Sequence, residues 1–130
     1  MVGSTSKKSV LTGLMLVASL LGGSVQAKGP SGQESAATIS VAEMPAQGAQ
    51  IFDLIKRGGP FQHQQDGGVF GNRERLLPAK TRGYYLEYTV ATPGLKHRGT
   101  RRIVCGGAPR TPDACYYTAD HYASFRRIVP

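Results

Sequence analysis

Tyr84-Tyr85-Leu86-Glu87-Tyr88-Thr89-Val90-Ala91, the turn Thr92-Pro93-Gly94 and then Arg98-Gly99-Thr100-Arg101-Arg102-Ile103-Val104-Cys105 decide the fold. Aromatic and β-branched residues dominate both runs and a turn signal separates them, so residues 84–91 and 100–105 read as strands. Residues 115–118 and 125–129 read as two more. Strand follows strand without an intervening helix, which indicates an antiparallel sheet. Side chains alternate between the faces of a strand. Tyr85, Glu87 and Thr89 therefore point one way while Leu86, Tyr88 and Val90 point the other, and Arg102 and Ile103 point apart. With Val90 and Ile103 toward a core, Glu87 and Arg102 share the open face. Arg101 is then turned away from Arg102.

Upstream, residues 38–42 read as a short first strand, and Pro45 stands where a helix can begin. From Ala46 to Arg57 the residues Ala49, Ile51, Phe52, Leu54 and Ile55 cover one broad helical face, and Lys56, Arg57 and Gly58-Gly59 end it. The fold class is α+β: one N-terminal helix packed on a twisted antiparallel sheet of about four to five strands. Gly58-Gly59-Pro60 and Asp66-Gly67-Gly68 punctuate the middle. Val69-Phe70-Gly71-Asn72-Arg73-Glu74, ahead of the Leu77-Pro78 corner, reads as a loop that carries side chains outward.

The first 27 residues have the form of a secretory signal peptide: Lys7 and Lys8, an apolar run over residues 10–21, then small residues at Val25 and Ala27 before a cut at Lys28. The apolar run is short against the ~20 residues that span a bilayer, so no membrane anchor is expected in the mature form. Residues 28–37 are small and polar, a flexible tail. Residues 38–130 are the working domain, with one modest core. The whole chain has 16 Lys and Arg against 8 Asp and Glu, a net +8; cleavage removes Lys7 and Lys8 and leaves +6. Such a surface favours a polyanion without saying which, and heparin-like glycans and anionic lipid headgroups stay open.

Cys105 and Cys115 are the two cysteines. Export implies a compartment where disulfides persist, and the residues between them read as a hairpin loop that lets them face each other across two strands. Two cysteines and the scattered His63, His97 and His121 give no metal-site spacing, and no metal or cofactor is expected.

Glu87, the cluster Arg98, Arg101 and Arg102, and His121 are a carboxylate, cations and an imidazole. These are the parts that transphosphorylation through a ribose 2′-hydroxyl requires. Each alone is an ordinary surface residue. Beyond these, the chain resembles the extracellular guanyl-specific microbial ribonucleases, the family to which barnase is related. The resemblance runs over residues 39–129 and rests on Gly59-Pro60-Phe61, Gln65-Asp66, Phe70-Gly71-Asn72-Arg73-Glu74, Leu77-Pro78, Gly83-Tyr84-Tyr85-Leu86-Glu87-Tyr88-Thr89-Val90, Thr92-Pro93-Gly94, Arg98-Gly99-Thr100-Arg101-Arg102-Ile103-Val104, and Tyr116-Tyr117-Thr118-Ala119-Asp120-His121-Tyr122-Ala123-Ser124-Phe125.

That resemblance implies Glu87 as general base, His121 as general acid, Arg102 with Arg98 as phosphate-binding arginines, and Tyr122 as a further phosphate contact. It implies that Glu74 accepts the paired donors of guanine, that backbone amides near Asn72 and Arg73 meet the base's other edge, and that Phe70 offers a stacking surface. Gly71 departs from the longer side chains found there in relatives. The implied partner is single-stranded RNA, with a barstar-like protein inhibitor as a second, and the expected state is a monomer. The competing class is a catalytically inactive secreted module that binds RNA or protein. It differs in one assay: it binds a guanosine-containing dinucleotide without converting it.

Overall fold

The structure, a computed structural model, describes Gly3 and residues 37–130. The expected signal peptide, Gly3 excepted, and the expected tail up to residue 36 lie outside the described residues. Ala37 already belongs to the fold, since its carbonyl accepts the Arg127 N–H at 2.9 Å.

Helix α1 spans Ala46–Arg57, as the apolar spacing indicates. Pro45 (φ −52°) precedes its first residue, and Gly58 ends it in the left-handed conformation at φ 85°. There the N–H groups of Gly58 and Gly59 close onto the carbonyls of Ile55 and Leu54, a termination that favours glycine.

Six strands form one sheet: β1 (Thr38–Ser40), β2 (Gly68–Val69), β3 (Tyr85–Thr89), β4 (Arg102–Ala108), β5 (Thr111–Thr118) and β6 (Arg126–Val129), in the order β1-β6-β5-β4-β3-β2. The count exceeds the four to five expected because β2 lies where turns were read. Its two residues are exposed and carry no strand pattern; pairing with Glu87 and Leu86 makes them a strand. β1 runs parallel to β6, with Ile39 opposite Ile128, so the sheet is antiparallel everywhere except at that edge.

The hairpin between the cysteines corrects a second expectation. No long loop separates them: β4 continues to Ala108 and β5 begins at Thr111, leaving Pro109-Arg110 as the turn. Cys105 and Cys115 are direct register partners and are disulfide-bonded. Glycines and prolines made this stretch look like a loop. Gly106 has another purpose, because the Tyr84 ring lies across it where a Cβ would collide.

The two faces of the sheet divide as strand parity requires. Toward α1 lie Tyr88, Val90, Ile103, Cys105, Cys115, Tyr117 and Ile128, packed with Ile39, Met44 and Ile55. Val90 and Ile103 are fully buried, a burial worth ~2 kcal/mol for each such side chain. The other face carries Leu77, Tyr85 and Val104 under a layer of Phe70, Tyr84, Tyr116, Tyr122 and Phe125. Glu87 lies opposite Val104, and Thr89 lies opposite Arg102, which lies opposite Thr118. All of them are on this second face.

Candidate active site

The row Thr89, Arg102 and Thr118 is polar yet only 1–2% exposed. Each member organises a neighbour. The Thr89 hydroxyl accepts Arg98 Nε at 2.9 Å, and its backbone N–H is held by Asp66 Oδ1 at 2.7 Å. That leaves Arg98 Nη2 directed at Glu87 Oε1, 3.3 Å away. The other Glu87 oxygen, Oε2, accepts a hydrogen bond from the Tyr122 hydroxyl. Glu87 is thus a mostly buried carboxylate gripped from two sides.

Arg102 lies beneath this pair. Its Nη1 donates to the carbonyls of Arg101 (2.8 Å) and Arg98 (3.3 Å), while Nε is buried with no hydrogen-bond partner among the described residues. No carboxylate pairs with it there. A buried guanidinium left without an anion is costly, and a bound anion would offset that cost. Arg101 contributes its backbone carbonyl to Arg102 and to the Val90 N–H, and its side chain is absent from the cleft wall.

His121 and Tyr122 sit on the turn between β5 and β6 at φ 53° and 71°, a region that costs non-glycine residues of order 1–3 kcal/mol each. Neighbours hold them there. The His121 N–H donates to the Thr100 carbonyl at 3.0 Å, and the Tyr122 N–H donates to Thr118 Oγ1 at 3.2 Å. Thr118 in turn donates to Asp120 Oδ1 (2.9 Å), which also receives the Ser124 N–H at 2.9 Å, while Ser124 Oγ donates to Oδ2 at 2.6 Å. Those bonds, from Ser124 first and then Thr118, hold the Asp120 carboxyl below its usual range. Burial, then the bond to Glu87, push the Tyr122 phenol up to about 12, against the opposing pull of Arg102. Tyr122 therefore keeps its proton near neutral pH and stays a hydrogen-bond donor.

The 70–74 loop closes the far side. Its start is fixed by the Phe70 N–H on the Tyr85 carbonyl at 2.9 Å. Asn72, at φ 49°, spends its side chain on Leu77: Nδ2 donates to the Leu77 carbonyl (2.9 Å) and Oδ1 accepts the Leu77 N–H (3.1 Å). Its side chain therefore shapes the loop, and its carbonyl accepts the Arg75 N–H at 3.0 Å. Phe70 stacks on Tyr122 with centroids 4.9 Å apart and meets Tyr85 and Phe125 edge-on. Glu74 is exposed and makes no ion pair among the described residues, although Arg73 and Arg75 flank it.

Phe70, Asn72, Arg73, Glu74, Glu87, His121 and Tyr122 all line one cleft of about 870 Å³. The sequence-named residues thus converge, with Arg98 and Arg102 behind Glu87 rather than in the wall. Sequence reading left out Thr89, Thr118, Asp66 and Asp120 as supports. Thr89 was within reach, since it shares the parity of Glu87. Gly71 is in the wall as well, and Val69, Leu76, Ala123 and Phe125, to which sequence reading gave no role in the site, complete it.

A helix on one face of the sheet and, on the other, a carboxylate, two arginines, a tyrosine and a histidine around one cleft define a small α+β protein built to do acid-base chemistry on an anion. A ribonuclease family model matches residues 27–129, and the chain belongs to that family. Over 85 residues it is 58% identical to guanyl-specific ribonuclease Sa3 of Kitasatospora aureofaciens, covering 65% of this chain and 58% of that relative's length. It is 48% identical to guanyl-specific ribonuclease Sa of the same organism over 91 residues, 70% of this chain and 92% of that one. A crystal structure of ribonuclease Sa2 with guanosine-2′-cyclophosphate superposes with a TM-score of 0.67 at 44% identity, covering 74% of this chain and 98% of that one.

Proposed function

We propose that this protein is a guanyl-specific endoribonuclease that cuts single-stranded RNA after guanosine. The observation that carries the reading is the grip on Glu87: one open-face carboxylate held by Arg98 and Tyr122, above a buried Arg102 without an anion, in a cleft shared with His121 and Glu74. The names of the relatives support the guanyl preference.

In the first step Glu87 accepts the proton of the ribose 2′-hydroxyl as that oxygen attacks the adjacent phosphorus. Arg98, Arg102 and the Tyr122 hydroxyl donate to the phosphoryl oxygens, where negative charge builds. His121 gives its proton to the departing 5′-oxygen, and a 2′,3′-cyclic phosphate remains. In the second step His121 takes a proton from water as the water attacks phosphorus, and Glu87 returns its proton to the 2′-oxygen, leaving a 3′-phosphate. DNA has no 2′-hydroxyl to begin this sequence. Guanine offers two adjacent donors to the unpaired Glu74 carboxylate, backbone groups at Asn72 and Arg73 serve its other edge, and Phe70 lends an aromatic wall.

Glu87→Gln and His121→Ala are each expected to lower kcat by about 10²–10⁴-fold with the fold intact by circular dichroism, while EDTA leaves the wild type unchanged. Full turnover in either variant sinks the assignment. Mapping the ends left on a mixed-sequence RNA tests selectivity, and ends other than guanosine cyclic or 3′-phosphates refute it. Export through a signal peptide cut near Ala27 belongs to the same reading, supported by Lys7, Lys8 and the apolar run. Residues 38–130 then act alone as a monomer, and the net positive charge of the chain suits an acidic, barstar-like inhibitor.

A further inference from the structure

The Arg98 guanidinium is divided between two acceptors. Its Nε and Nη2 hydrogens leave one edge of the group side by side, the fork that a carboxylate can accept with both oxygens. Here the fork is split: Nε donates to Thr89 Oγ1 at 2.9 Å, and Nη2 donates to Glu87 Oε1 at 3.3 Å. Nη1 has no partner among the described residues, which leaves it to an incoming anion.

Thr89 is fixed independently of Arg98. The pairing of β2 with β3 stops at Glu87, so the Thr89 N–H lies beyond the reach of β2. The Asp66 carboxylate takes it at 2.7 Å instead, and its other oxygen accepts the His63 N–H at 3.3 Å. On its other side Thr89 is the register partner of Arg102, and it is fully buried. Valine has the same branched shape, so packing alone does not call for a hydroxyl at this place.

We infer that Thr89 is a positioning residue for the general base: its hydroxyl takes one arm of the Arg98 fork and so limits that arginine to a single contact with Glu87. The inference rests on the ribonuclease reading and adds to it a control on how readily Glu87 accepts a proton. A second guanidinium arm on Glu87 would favour its charged form further and weaken it as a base. The other titratable and charged groups around Glu87 are Tyr122 and His121 on the β5–β6 turn, Arg102 on β4 and Glu74 on the 70–74 loop. None of their side chains bonds Thr89, so a change at its hydroxyl reaches Glu87 through Arg98.

The test compares pH profiles of kcat/KM for cleavage of the dinucleotide GpA. Thr89→Val is expected to lower kcat about three- to tenfold at neutral pH and to move the acid limb down by about half a unit to one unit. Thr89→Ser, which keeps the hydroxyl, should follow the wild type in both. An acid limb that stays at the wild-type pH in Thr89→Val overturns the inference whatever happens to kcat, because lost packing lowers activity without moving the limb. So does a Thr89→Ser profile that follows Thr89→Val. If Thr89→Val does not fold, the wild type still decides. Its Arg98 Nε–H resonance in NMR should stay protected from solvent exchange as Glu87 is protonated, since Thr89 and not the carboxylate holds that hydrogen; protection lost on acidification refutes the hold. Failure of the wild type to cleave GpA at all is a different result, which sinks the ribonuclease reading and leaves the NMR measurement unaffected.

Discussion

Tyr122 illustrates how much one hydroxyl is asked to do. Before substrate arrives it donates to Glu87, occupying the carboxylate oxygen that a 2′-hydroxyl needs. In the proposed reaction substrate turns the phenol from the carboxylate to the phosphate, and the same proton serves both acceptors. Tyr122→Phe keeps the stack on Phe70, and so the fold, but removes the donor. We expect kcat/KM to fall about tenfold, the worth of one hydrogen bond to a charged group, with Tm within a few degrees of the wild type. A loss of a thousandfold would instead give Tyr122 a share in the proton transfers. At this scale the shared face of Glu87 and Arg102 was legible through alternation, while His121 was named by its motif alone. The sequence was silent about Thr118 and Asp120, whose importance lies in bonds to backbone groups that no periodicity marks.

At the scale of elements, the turn between β5 and β6 is held by one carboxylate. Asp120 accepts from Ser124 twice and from Thr118 once, and these bonds lower its pKa. A carboxylate with a lowered folded pKa contributes stability that is present above its unfolded value, near ~3.9, and lost as pH falls through the folded value. Asp120→Asn should therefore melt below the wild type at pH 6, with the gap closing as pH falls through the lowered folded value. A constant gap across that range would mean that charge at Asp120 is irrelevant. The same turn shows why elements were only partly readable. Helix α1 was legible to the residue, since twelve residues of helical periodicity are a strong signal. Strand β2 was not, since two exposed residues have no period and become a strand only through β3. The hairpin at Pro109-Arg110 looked longer than it is, because Gly106 and Gly107 resemble loop residues and in fact accommodate Tyr84 and a β-bulge.

Taken whole, the molecule separates its chemistry from its fastening. The disulfide lies on the α1 side of the sheet, the cleft on the other. Cys105→Ala/Cys115→Ala is expected to cost about 2–3 kcal/mol and roughly 10–20 °C in Tm. At 20 °C, where the variant is still folded, kcat/KM should match the wild type. A proportional loss of activity in folded protein would show that strain passes through the sheet to Glu87. The two-faced plan was legible in the sequence through parity at Glu87, Val90, Arg102 and Ile103. What alternation could not supply was the order of strands, above all that the first would lie against the last.

That parallel pairing of β1 with β6 puts residue 38 beside residue 127. The two ends of the folded unit are neighbours, on the sheet edge opposite the strand that leads into the 70–74 loop. Connectivity at this seam is thus separable from architecture. A circular permutant that joins residue 130 to residue 37 through a short glycine-serine linker, and opens between the exposed Gly94 and Leu95, should refold with the cleft intact and cut the same RNA.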